Sequence, residues 1–409
     1  MSVKEIFKNK NFLHYFIADS LGKIADNYFF IFLTWLALEQ TGSPAYAGML
    51  LMANSIPRLA LMIFGGVLAD KIQPHTILRV GNIIQAVGLG VVLVWVTVGT
   101  IPVAGLFMVA IVFGIIDAFS TPASMSAIPR IVPRRLLLKA NSLIGGLEMG
   151  IFVGGALLAG AAIQFGSLEF ATIVNLLLYA LSAIVFLSVK LVLVDAKTQE
   201  KASEIQQIKN GLKYVWKKPV LRANTLLLAA TNIAISGPIT IGFLLIVTEK
   251  FGLGPIYYTV IFALFGVGTL IGALSVGLRQ NVRGPGRIII ANYIINGLGL
   301  ISIAFLPNIW LIMALTLLLG FIGGVSGTIN STWIQLNTRR SMLGRVSAIT
   351  MIAALAFDPM SQGISGILAE WSIDGLFIVA GIFIMVATLV VIPFNKVLLN
   401  NYSLPLTKN

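Results

Sequence analysis

Asp19, Lys23 and Asp26 stand four and three residues apart in a stretch that is otherwise apolar. On a helix, at ~100° per residue, they share an arc of about 60°, and Tyr15 and Phe30 extend the same stripe. Ionisable groups in such a stretch do not face lipid, where they cost several kcal/mol; they face the protein interior or water, and Lys23 is placed to pair with either acid. Arg58, Asp117, Glu148 and Asp358 interrupt other apolar stretches in the same way, so five acids stand against two bases. At least three of those carboxyls then lack full countercharge, and a carboxyl in low dielectric without it exchanges protons near neutral pH. The residues therefore point to proton exchange, with Asp26 the first carrier, Asp19, Asp117, Glu148 and Asp358 behind it, and Lys23 and Arg58 as charge partners. A static network in which Lys23 and Arg58 merely neutralise Asp19 and Asp26 is the competing account, and it leaves the excess acids unexplained.

The elements that must position these groups are twelve long apolar runs, at 12–38, 46–69, 77–99, 103–128, 140–163, 169–193, 222–248, 255–278, 288–306, 309–333, 346–369 and 373–395. Hydrophobic residues make up 57% of the 409 and charged residues 11%, the balance of a polytopic membrane protein. Each run is long enough to cross a ~30 Å hydrocarbon core as a helix, the form that bonds its own backbone within the segment. Counted from the cation-bearing helix ends at ~1.5 Å per residue, Asp26, Arg58, Asp117 and Asp358 lie roughly 18–20 Å deep, near the midplane, with Glu148 shallower. The third, sixth, ninth and twelfth runs carry no interior charge.

Lys and Arg alternate with the connections. Lys4, Lys8 and Lys10, then Lys71 and Arg79, Arg130 to Lys139, Lys197 to Arg222, Arg279 to Arg287 and Arg339 to Arg345 mark one side; the alternate connections are nearly free of cations. Both termini are therefore expected in the cytoplasm, which requires an even number of spans. The net charge of +13 reads as a topology and lipid-surface signal, and no nucleic-acid partner is expected. No Cys, two His (His14 and His75) and no Gly-rich phosphate loop leave no metal centre, no cofactor and no ATP-driven step to expect. The first run is too long and too charged for a cleavable signal peptide. An enzyme is not expected either: no carboxylate pair stands beside a nucleophile.

The polar stretch Asp195–Lys218 divides six runs from six, giving an N-terminal bundle at 1–193, a linker at 194–221 and a C-terminal bundle at 222–409. In the linker, Ile205, Ile208, Leu212, Val215 and Trp216 predict an amphipathic helix lying on the membrane surface. The halves resemble each other. Gly114-Ile-Ile-Asp117-Ala-Phe-Ser120 aligns with Gly320-Phe-Ile-Gly323-Gly-Val-Ser326, an offset of 320 − 114 = 206 that also matches Arg134 with Arg340 and Leu143 with Ile349. A same-orientation repeat of six spans is a known transporter plan. Gly146, Gly150 and Gly154 recur every four residues and predict one closely packed helix face. Pro57, Pro238 and Pro359 are expected to kink their helices.

Several segments carry a family resemblance: Trp35 to Ser43, Ile56-Pro57-Arg58-Leu59, Phe119 to Ala123 with Pro133 and Ala140 to Leu143, and Leu343-Gly344-Arg345-Val346. In order and spacing they resemble the major facilitator superfamily, in particular the drug–proton antiporter branch that includes macrolide-efflux-type proteins. The resemblance implies an all-α membrane fold of twelve transmembrane helices in two six-helix bundles related by a pseudo-twofold. It implies that Gly66-Val-Leu-Ala-Asp70-Lys71 forms, with Arg345, a cytoplasmic gate, although Gln73, Pro74 and His75 depart from the family's glycine and cations there. It also implies that Asp26 matches a first-helix Asp, that the glycines of the fifth helix suit export, and that helices three, six, nine and twelve are the outer ones.

A substrate cavity lined from both halves is expected from Phe29, Trp35, Asn54, Phe113, Asn232, Phe243, Tyr257, Tyr258, Asn330 and Trp333, a set suited to amphipathic, cationic molecules. The reading is a monomeric secondary transporter in a bacterial inner membrane, exchanging protons for small amphipathic or hydrophobic compounds. Its partners are the small-molecule substrate, protons and the bilayer. The alternative substrate is a native metabolite such as a siderophore or lysophospholipid, whose anionic group Arg58 and Lys23 would meet.

Overall fold

The computed structural model describes residues 10–132, 137–189, 204–277, 281–339, 342–392 and 403–405, and these are almost wholly helical. The first six helices are α1 (Lys10–Thr41), α2 (Pro44–Lys71), α3 (Pro74–Val98), α4 (Val103–Ile131), α5 (Leu137–Phe165) and α6 (Leu168–Phe186). The linker holds α7 (Glu204–Lys217). Then come α8 (Pro219–Gly237), prolonged to Lys250 by π-helical turns, α9 (Pro255–Gly277), α10 (Pro285–Phe305), α11 (Ile309–Asn337), α12 (Leu343–Leu355), α13 (Asp358–Trp371) and α14 (Ile373–Val391). Two three-residue strands, β1 (Asn281–Arg283) and β2 (Ser403–Pro405), pair antiparallel.

The helix boundaries follow from local chemistry. Ser43, Ser167, Asn308 and Ser372 cap α2, α6, α11 and α14 by accepting a backbone N–H from two or three residues on. Pro opens α2, α3, α8 and α10, where its missing N–H leaves no bond unmade. Gly99 ends α3 at φ 74°, a left-handed turn that a side chain rarely adopts. Pro359 splits the eleventh span: α12 stops at Leu355 and α13 starts at Asp358. Pro238 turns α8 into a π-helical stretch, and the neighbouring Gly237 N–H donates to Ser361 Oγ of α13 at 2.8 Å. Pro57 lies inside an unbroken α2.

Eleven described spans are long and apolar enough to cross a membrane; α12 and α13 together supply one of them. The 28-residue α2, interrupted by Asn54, Ser55, Pro57 and Arg58, is outside that set and makes the twelfth long element. The repeat offset is carried into structure: α4 and α11 are both 29 residues, and they start (309 − 103) and end (337 − 131) 206 residues apart.

The chain groups into two compact units, Met1–Lys197 with Gly252–Ala263, and Thr198–Phe251 with Leu264–Asn409. In the first, α1 is the central helix, packed on α5 and α6, while α2 pairs with α4 and α3 with α6. A side chain on Gly65 would strike the Ala118 carbonyl, and one on Gly114 the Asn54 carbonyl, so α2 and α4 meet backbone to backbone. In the second unit Gly268 and Gly272 of α9 face Leu317 and Phe321 of α11, and Gly320 and Gly324 of α11 return the contact at Phe265 and Thr269.

Three packing expectations are corrected here. Among the described residues, Gly150 and Gly154 have nothing within 4 Å of where a side chain would begin, so they make no close helix contact within the first unit; Gly146 lies outside the residues whose side chains are described. The close approach of α5 is made instead by Gly155, 2.8 Å from the Ile24 carbonyl of α1, on the face that also buries Ala156, Ala159 and Ala162. One residue of register turns a helix face by about 100°, which is why the four-residue repeat of glycines misled. Among the described residues nothing lies within 4 Å of where a side chain on Gly66 would begin, and its neighbour Gly65 makes the α2–α4 contact. Third, the linker helix does not simply lie on the membrane. Val215 is fully buried with Leu221, Val346 and Ile349 in the second unit, while Leu212 and Trp216 remain exposed.

Candidate functional site

The first unit holds an open cavity of about 440 Å³, and the six charged residues read from its sequence, Asp19, Lys23, Asp26, Arg58, Asp117 and Glu148, all line it. They arrive from four helices: α1 supplies three, α2 Arg58, α4 Asp117 and α5 Glu148. The groups fall into two sets, each with two acids and one base. Lys23 Nζ lies 3.1 Å from Asp19 Oδ2 and 2.9 Å from Glu148 Oε1. Arg58 acts electrostatically on both Asp26 and Asp117, which also act on each other. Lys23 thus pairs with Asp19 and Glu148 rather than with Asp26, because the i,i+4 step to Asp19 and the facing α5 direct its ammonium away from the deeper acid.

Neutral donors complete the shell. Tyr179 Oη donates to Asp26 Oδ1 at 2.8 Å, Gln85 Nε2 to Asp117 Oδ1 at 3.2 Å and Ser124 Oγ to Asp19 Oδ1 at 2.8 Å. Tyr15 Oη donates to the Ser124 carbonyl at 3.0 Å, so Ser124 of α4 is tied to α1 at both Tyr15 and Asp19. Phe29 stacks on Phe113 with ring centroids 3.9 Å apart, and Phe113 meets Tyr179 edge-on at 5.9 Å, which fixes the Tyr179 ring behind Asp26. Asn82 Nδ2 donates to Ser182 Oγ at 2.6 Å, and Ser182 donates to the Ala18 carbonyl.

These donors are what the sequence reading missed. Gln85 and Asn82 sit on α3, Tyr179 and Ser182 on α6, the helices set aside as outer because they hold no charge. A signal existed: Asn82 and Gln85 are three apart, and Asn175, Tyr179 and Ser182 follow at four and three, one buried polar face on each helix.

Of the expected cavity residues, Phe29 and Asn54 line this cavity, Asn54 donating to the Ala110 carbonyl at 3.0 Å. Phe113 lies behind Phe29, 1% exposed. Trp35 donates to Glu39 at the end of α1. Tyr258 is fully buried against Phe262, and Tyr257 is half-buried. Asn232, Phe243, Asn330 and Trp333 belong to the second unit: Asn232 bonds its own helix at the Leu228 carbonyl, Phe243 packs on Phe377 and Trp333 is buried. Asp358 is also there, in the first turn of α13, where a helix N-terminus stabilises a negative charge.

At the expected gate, the side chain of Asp70 lies outside those described and Lys71 is exposed. The cation that reaches the end of α2 is Arg130, whose Nη2 donates to the Ala69 carbonyl at 2.9 Å. Arg345 belongs to the second unit and contacts Met342 Sδ at 3.4 Å.

A set of carboxyls lining a cavity among membrane-spanning helices suits transport, and comparison of the whole sequence decides the family. The model of the Major Facilitator Superfamily matches residues 15–357. The chain belongs to that superfamily. It is similar to the multidrug efflux pump Tap of Mycolicibacterium fortuitum, 24% identical over 82% of this chain and 83% of the relative. It is also similar to the MFS-type transporter y4rN of Sinorhizobium fredii, 26% identical over 95% of this chain and 96% of the relative. Among solved structures, the nucleoside transporter NupG superposes with a TM-score of 0.70 at 12% identity, covering 93% of this chain and 99% of that one. A bacterial homologue of the iron transporter ferroportin gives 0.69 at 15% identity, covering 97% and 100%. At those identities the solved structures establish the fold, and this major facilitator protein is a multi-pass membrane transporter.

Proposed function

We propose that this transporter exports small amphipathic or hydrophobic compounds in exchange for protons, from a bacterial cytoplasm through the inner membrane, with both termini inside. The observation that carries the reading is one cavity holding four acids against two bases on membrane-spanning helices. Four carboxylates and two cations cannot all balance, and the excess is relieved by taking up protons. Similarity to efflux pumps named for multidrug transport supports the direction and the substrate class. Protonation of Asp26, held by Tyr179 and sharing Arg58 with Asp117, removes charge from the cavity and lets the N-terminal bundle, 1–193, rock against the C-terminal one, 222–395. Phe29, Phe30 and Phe152 give the cavity an apolar wall for the body of the substrate, and its acids attract a cationic group. The activity is transport rather than catalysis.

The test is export of ethidium, an amphipathic cation, from proteoliposomes under an imposed pH gradient. Asp26→Asn is expected to cut gradient-driven export at least about tenfold, a barrier change of about 1.4 kcal/mol. Undiminished export by that variant removes Asp26 from the mechanism. A second substrate reading rests on Arg58 lining the same cavity: an anionic native metabolite such as a siderophore or lysophospholipid. Arg58→Ala separates the two. Loss of anion transport with cation transport spared supports the metabolite; the reverse supports the cationic substrate.

A further inference from the structure

The linker helix α7 has two faces, and only one is accounted for by the fold. On the inner face Val215 is fully buried with Leu221, Val346 and Ile349, and Tyr214 Oη accepts the Arg339 N–H at 3.2 Å. A side chain on Gly211 would stand 2.8 Å from Ile349 Cδ1 and 3.1 Å from Arg345 Cβ, so α7 lies hard against the start of α12. The outer face carries Leu212 and Trp216, 48% and 52% exposed, among exposed Lys209, Lys213 and Lys217.

Three observations identify what covers that outer face. First, α7 ends at Lys217 and the membrane span Pro219–Lys250 begins two residues later, which sets α7 at the bilayer surface. Second, no Asp or Glu occurs from Lys209 to Arg222, a segment with five cations, nor from Arg339 to Arg345. Third, a Trp and a Leu between lysines is the pattern of a helix seated among lipid headgroups, with the apolar groups at the acyl boundary and the ammonium groups on phosphates.

We propose that the outer face of α7 is a binding surface for anionic phospholipid headgroups, and that α7 passes headgroup binding to α12, the helix that carries Arg345. Because one side of the helix is packed on Val346 and Ile349, it cannot settle onto or lift from a charged surface without moving or straining the start of α12. Lipid charge then biases the second unit directly. Such a lipid surface requires neither proton coupling nor any particular substrate.

The chain has no cysteine, so single introduced thiols report without background. The full-length protein carrying Leu212→Cys, labelled with an environment-sensitive fluorophore, is reconstituted in phosphatidylcholine vesicles with and without phosphatidylglycerol. The expected result is a blue shift with phosphatidylglycerol that salt reverses, and that the triple change Lys209→Gln, Lys213→Gln and Lys217→Gln removes. In a second protein, Ser347→Cys on an exposed site of α12 reports thiol modification rate. That rate is expected to differ between the two vesicle types, and to differ no longer in the triple-Gln background. Equal emission in both vesicles overturns the binding surface. So does the same shift produced by inorganic phosphate with neutral vesicles. A lipid-dependent shift at position 212 with an unchanged rate at position 347 overturns the link to α12.

Discussion

Tyr179 is the residue that most changes the picture of the acids lining the cavity. It is neutral, it lies on a helix without interior charge, and it donates to the acid read first from the sequence. A hydrogen bond to a charged group is worth about 1.5–3 kcal/mol, so Tyr179→Phe alters the balance at Asp26 while keeping the ring that packs on Phe113. The expected outcome is ordinary expression and thermal stability, with gradient-driven export reduced about tenfold and its pH profile displaced. Export indistinguishable from wild type across pH would show that Asp26 does not use this donor. Asp19, by contrast, is bonded by Ser124 and paired with Lys23, which Glu148 shares. The two bases are thus divided between two pairs of acids, a partition that the linear spacing of Asp19, Lys23 and Asp26 does not reveal.

At the scale of elements, glycines separate what spacing suggests from what packing uses. Gly155→Leu drives a side chain into the Ile24 carbonyl and parts α5 from α1; overpacking of this kind costs about 1–3 kcal/mol or more. Gly150→Ala and Gly154→Ala meet open space among the described residues and are expected to leave the melting temperature unchanged or slightly raised, since Ala favours the helix. Thermal unfolding in detergent distinguishes the three variants, and equal destabilisation by all of them would contradict the contact geometry. The α4–α11 pair teaches the complementary lesson. There the repeat offset of 206 was legible, and the glycines it aligned, Gly114 and Gly320, both have their side-chain positions filled by a neighbouring backbone.

For the molecule as a whole, the attachment of α7 decides how the connection between the two halves of the sequence is held. Val215 is fully buried, so Val215→Asp places a carboxylate in an apolar cluster, at a cost of several kcal/mol even after relaxation. The expected outcome is a lower unfolding temperature and faster proteolytic cleavage in the linker, measured in the full-length protein. Cleavage and stability equal to wild type would show that α7 is not secured by Val215.

Composition, the lengths of the apolar runs and the alternation of cations were enough to specify a helical membrane bundle, because a bilayer forces each segment to satisfy its own backbone. Charge was equally legible: an ionisable residue in an apolar run has few places to go, and the six in the first half line one cavity. Helix capping by Ser43, Ser167 and Asn308 is local chemistry and needs no partner. What only the tertiary structure decided is which face meets which neighbour. A side chain's partner depends on helix rotation and on residues a hundred or more positions away, as Lys23 with Glu148 and Asp26 with Tyr179 show. Neutral donors such as Gln85 and Tyr179 carry no desolvation signal strong enough to mark them in sequence, so they emerge only when the helices are assembled.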